Sequence, residues 1–115
     1  MVTRFRIADG PIFDALSDPT RRAILELLRE TPHAAGDIAS HFPVSRPAIV
    51  KHVRVLKQAG LVRERVEGRH RIYELDATPL ADVDRWLQPY RAFWASRLVA
   101  IKNLVEGKKS ADEAG

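Results

Sequence analysis

Residues 45–60 constrain this chain more than any other stretch, because they suit one short helix with both ends fixed. Ser45 is a good N-cap, with a hydroxyl that can accept from a free backbone N–H. Pro47 falls in the first turn, where a missing N–H costs little. Ile49, Val53 and Leu56 recur at i, i+4 and i+7, the period of one buried stripe. Gly60 then stands where a left-handed residue would stop the helix. A 3.6-residue turn places Pro47, Lys51, Arg54 and Gln58 opposite the stripe. Arg46 and Val50 flank that outer face near its N-terminal end, and His52 sits at the margin of the buried side.

The neighbouring segments narrow the fold. Pro43-Val44 reads as a turn, and a short helix from about Ala35 precedes it, with Ile38, Ala39 and Phe42 apolar. Asp18-Pro19 opens an earlier helix as N-cap and first helical residue. Its buried side is Ile24, Leu25, Leu27 and Leu28, and Thr31-Pro32 ends it. Ile12, Phe13 and Leu16 form the stripe of a first helix. Beyond Gly60, residues 61–66 and 71–75 read as extended, joined by Glu67-Gly68-Arg69-His70 with Gly68 free for positive φ. Thr78 or Pro79 opens a long last helix reaching about Val105, and Pro89 within it predicts a kink or break near Gln88. The expected architecture is mainly α with a small β-hairpin, a winged helix-turn-helix. It is expected as a single domain over residues 1–107, with a disordered tail over 108–115.

Charge points to a partner. Between Val44 and Arg71 lie Arg46, Lys51, Arg54, Lys57, Arg63, Arg65, Arg69 and Arg71, opposed only by Glu64 and Glu67. Eight cations against two anions make this segment +6, so within a chain of +4 the remainder is −2. A polyanion fits that asymmetry. Cations near a helix N-terminus suit entry into the major groove of duplex DNA. The expected contacts are Ser45, Arg46, Pro47, Val50, Lys51, His52 and Arg54 on the helix. Arg65, Arg69, His70 and Arg71 join them from the hairpin. Arg46 has the fork to read a guanine edge, Lys51 and Arg54 suit phosphates, and the hairpin tip suits the backbone or minor groove.

The same residues resemble a known family. FPVSRPAIVKHVRVLKQAGLV at 42–62 is similar to the recognition-helix signature of the ArsR/SmtB family of bacterial repressors. ALSDPTRRAIL at 15–25 is similar to that family's second-helix opening, and Gly60-Leu61-Val62, Glu67-Gly68-Arg69 and Tyr73 to its wing. The resemblance implies a dimeric winged-helix protein that binds operator DNA and usually represses. The chain departs from the family at two places. Val50 stands where a serine or threonine is common, which changes the base preference to expect, and Ala34 replaces the usual threonine cap.

The last helix carries a broad apolar stripe. Val83, Leu87, Tyr90, Trp94, Leu98, Ile101 and Val105 follow 3–4 spacing, and Trp86, Phe93 and Leu104 widen it. Aromatic anchors of this kind mark interface centres. The expected homodimer interface comprises Trp86, Leu87, Tyr90, Phe93, Trp94, Leu98 and Ile101, with Ile12, Phe13 and Leu16 from the first helix. The resemblance implies that same pair of helices.

Other chemistries find little footing. The chain has no cysteine, so a disulfide scaffold, a thiolate metal site and a thiol switch are excluded. It has no histidine after His70, so the family's metal sites do not carry over. His33, Asp37 and His41 have i, i+4, i+8 spacing, but Pro32 argues against a helix at His33, and no metal or cofactor is expected. A glycine-rich phosphate loop, a nucleophile elbow and paired carboxylates are lacking, so the chain does not read as an enzyme. No apolar run is long enough to span a bilayer, and residues 1–9 do not resemble a signal sequence. A cytoplasmic location is therefore expected, without membrane partners. The expected partners are double-stranded DNA and a second copy of the chain, with any small-molecule effector unspecified. The alternative reading is a protein-interaction module, a winged-helix scaffold that presents its aromatic last helix to another protein.

Overall fold

The computed structural model describes residues 10–114, with side chains through residue 107. Residues 1–9, expected to carry no signal sequence, lie outside the described residues, as do the side chains of the expected tail. The elements run α1 (Pro11–Leu16), α2 (Pro19–Glu30), β1 (His33–Ala34), α3 (Ala35–Ser40), α4 (Arg46–Gln58), β2 (Val62–Glu67), β3 (His70–Leu75) and α5 (Leu80–Ala114). This is the mainly helical winged helix-turn-helix expected from the sequence.

Local chemistry sets the helix ends. The Asp18 carboxylate accepts from the Arg21 N–H at 3.0 Å, and Pro19 opens α2. Ser45 Oγ accepts from the Ala48 N–H at 3.3 Å and caps α4. Past α4, Gly60 has φ 80°, its N–H donates to Lys57 O, and the Leu61 N–H donates to Leu56 O. That pair of bonds is a Schellman closure, and buried Leu61 is its apolar anchor. The α1–α2 corner is tied by arginines. Arg21 Nε donates to Ala15 O at 2.7 Å and Arg22 Nη1 to Leu16 O at 2.7 Å. These bonds occupy carbonyls that the end of α1 leaves without helical partners.

One core holds these elements together. Ile24, Leu28, Ile38, Ile49, Val53, Leu56, Leu61 and Val62 are buried, and Ile12, Leu16, Leu27, Phe42 and Val50 pack against them half-buried. Ile12 and Leu16, expected at a dimer interface, thus spend part of their surface on their own core.

The sheet has one strand more than expected. β1, at His33–Ala34, pairs antiparallel with β3, giving the order β1-β3-β2. Two residues are too few to show a period, so this strand leaves no pattern in the sequence. The hairpin pairs Val62 with Leu75 through to Glu67 with His70, leaving Gly68-Arg69 as the turn. Gly68 has φ 62° and no non-glycine residue has positive φ among those described, which is the type II′ arrangement.

The last helix departs from expectation twice. It stays helical through Pro89, so of the expected kink or break near Gln88 the break is absent, and its backbone continues to Ala114 rather than ending near Val105. By its contacts the chain forms two compact units, Met1–Val83 and Asp84–Gly115. Within the second unit Trp86, Tyr90, Phe93, Trp94, Leu98, Ile101, Leu104 and Val105 are exposed, while Leu87 is half-buried. Among the described residues no helix is long and apolar enough to cross a membrane.

Candidate nucleic-acid interface

The stripe of α4 is committed to the core, and this fixes what its other side offers. Ile49, Val53 and Leu56 are buried. Arg46, Pro47, Lys51, Arg54 and Gln58 are exposed, and Val50 is half-buried. His52 turns the other way, with Nδ1 3.8 Å from Asp18 Oδ2 at the start of α2. The structure therefore sets His52 against the α2 cap, away from the other expected contacts. The Asp18 carboxyl is held below its usual value, first by the Arg21 backbone N–H and then by His52.

Alternation along the hairpin sorts its cations by face. Val62, Glu64 and Val66 share a face with their partners Leu75, Tyr73 and Arg71, and burial of Val62 and Tyr73 marks this face as the one turned to the core. Arg63 and Arg65 point to the opposite face. There Arg63 Nε lies 3.9 Å from both Glu74 and Asp76, while Arg65 lies 2.8 Å from Glu67 and 3.9 Å from Glu74. Arg65, expected to touch DNA, is thus separated by the sheet from Arg71 and answered by carboxylates.

On the inner face Glu64 is a hub. It receives Lys57 Nζ at 2.7 Å and Arg71 Nη1 at 3.4 Å, and it pairs with Tyr73 across the hairpin. The Lys57 bond leads in lowering the Glu64 carboxyl below its usual value. Burial, with Glu64 second, pushes the Tyr73 phenol up. Glu64 is therefore anionic and Tyr73 neutral near pH 7.

What remains is a set of unanswered cations. Arg46, Lys51, Arg54 and Arg69 have no carboxylate within ion-pair distance among the described residues. Arg46 and Arg69 belong to one concavity of about 350 Å³, which His70, Arg71, Val50 and Tyr73 also line. Ala34 and Ala35 complete its lining. The structure thus brings together Arg46, Val50, Arg69, His70 and Arg71 of the expected contacts. Lys51 and Arg54 lie outside the concavity on the exposed face of α4. Sequence reasoning missed the roles of Ala34, Ala35 and Tyr73, because the concavity depends on β1 pairing with β3.

His33 and His41, singled out by their spacing, make local contacts. The His33 and His41 rings meet edge to face at 5.6 Å, and each Nδ1 bonds a backbone oxygen, of Thr31 and Asp37 respectively. Among the described residues no group of three or more histidines, cysteines or carboxylates could hold a metal ion.

Comparison with known proteins agrees with this geometry. A helix-turn-helix domain family model matches residues 16–65. The chain is 43% identical over 100 residues to the HTH-type transcriptional regulator Rv2034 of Mycobacterium tuberculosis, covering 84% of this chain and 87% of that one. It is 45% identical over 76 residues to the transcriptional repressor SdpR of Bacillus subtilis, covering 66% and 84%. Among solved structures, an ArsR-like transcriptional regulator from Rhodococcus sp. RHA1 superposes with a TM-score of 0.71 at 36% identity, covering 93% of this chain and 97% of that one. These relatives are regulators of transcription, not enzymes.

Proposed function

The chain belongs to the ArsR/SmtB family of helix-turn-helix transcriptional regulators, and from that premise we propose that it is a homodimeric cytoplasmic repressor of a palindromic operator. In this reading α4 enters the major groove and the hairpin tip meets the flanking backbone. The observation that carries it is the group of exposed cations without carboxylate partners, Arg46, Lys51, Arg54 and Arg69, on α4 and the adjoining tip. Guanidinium and ammonium groups left unanswered in the free protein are the ones that phosphates and base edges can answer.

Exposure along α5 supports the dimer. Trp94 is 51% exposed, Phe93 53% and Leu98 65%, an apolar face too extended to leave in water on one chain. A second copy offers the same face, as a two-fold interface requires. The same face would also serve the alternative, an interaction module that binds a different protein.

Selection of bound fragments from a random duplex pool tests the proposal. An imperfect palindrome with half-sites about one helical turn apart is the expected result. A pool that emerges unenriched, while α5 captures a different protein, would move the function to the interaction module.

A further inference from the structure

We propose that the concavity between the first turn of α4 and the hairpin tip holds one phosphate of the DNA backbone, with Arg46 and Arg69 as its clamp. Arg46 is then a positioning contact and not the reader of a guanine. The inference rests on the DNA-binding reading and assigns this residue a different task within it.

The direction of Arg46 is the first observation. Its guanidinium lies back against α3, where a Cβ on Gly36 would stand 3.8 Å from Nη1. It lines the concavity with Arg69 instead of extending along α4. The second observation is charge. Arg71 in the same concavity is answered by Glu64 at 3.4 Å, whereas Arg46 and Arg69 have no carboxylate partner among the described residues. Two unanswered guanidiniums in one hollow repel until an anion enters, and each presents the planar fork that suits phosphate oxygens. The third is the lining. Val50 and Tyr73 add apolar wall beside the cations. That wall suits a sugar attached to the phosphate, so a phosphodiester fits better than a free ion. The N-terminal end of α4, with its partial positive charge, adds to the same field.

The test uses the full-length protein and the duplex recovered by selection. Each phosphate is replaced singly by a neutral methylphosphonate. The parent should lose about tenfold in affinity at one position per half-site, and Arg46→Ala should lose nothing further there. Arg46→Ala should also lower the log–log salt slope by about 0.9 for each lost contact while recovering the same sequence from the pool. Arg46→Lys should keep the slope. Relaxed preference at one base pair with an unchanged slope would overturn the clamp and leave DNA binding intact. Should the parent bind no duplex, the regulator reading fails and the clamp on a DNA phosphate fails with it.

Discussion

Gly60 shows how much one residue can dictate. Its φ of 80° closes α4, and a side chain there would also meet Pro79 Cγ at 3.4 Å. Gly60→Ala should therefore destabilise the protein by about 1–2 kcal/mol in a denaturant titration. Ser45→Ala should cost about 1 kcal/mol through the lost cap on Ala48. Three carboxyls, Asp18, Glu64 and Asp76, are held below their usual values, the last chiefly by the Thr78 hydroxyl. A depressed carboxyl contributes stability above its unfolded value, near pH 4, and loses it as the pH falls through its folded value. Thermal unfolding should accordingly move to lower temperature below about pH 4, and less steeply in Glu64→Gln. Caps and glycines such as Ser45, Asp18, Gly60 and Gly68 were legible in the sequence because their work is local. The direction of Arg46 was not, since it lies against a residue of another helix, Gly36.

At the scale of elements, the hairpin separates a count of charges from their use. Eight cations between Val44 and Arg71 predict a polyanion partner, but pairing along the strands assigns Arg63 and Arg65 to carboxylates on the outer face. Alternation alone could have sorted those faces, given the register. The register in turn depends on the turn at Gly68-Arg69, where the sequence leaves four residues open. Glu64 controls how much of the remaining charge is free, because it holds both Lys57 and Arg71. Glu64→Gln should therefore strengthen duplex binding and steepen its salt dependence while weakening the fold, as measured by fluorescence anisotropy at several salt concentrations. The core stripe of α4 was legible from its period alone. Leu56→Ala, at a fully buried position, should cost about 2–5 kcal/mol.

For the whole molecule, the apolar stripe of α5 was legible, but its use was not, because one chain does not contain whatever covers it. That the helix spans Pro89 was legible as well, whereas its reach to Ala114 was not. A charge placed at the centre of the stripe tests the dimer. Trp94→Glu should sediment as a folded monomer and bind DNA more weakly than the parent. If the variant stays dimeric, Trp94 is not in the interface, and a monomeric parent would remove the dimer altogether. What decides the proposed function is duplex binding by α4 and the hairpin tip through their unanswered cations. It is tested most directly by duplex affinity across a salt series for the parent, Lys51→Ala and Arg69→Ala. The parent's affinity should fall steeply, by about 0.9 log units per log unit of salt for each phosphate contact, and each variant should bind more weakly with a shallower slope. An affinity indifferent to salt, or variants that match the parent in both affinity and slope, would contradict it.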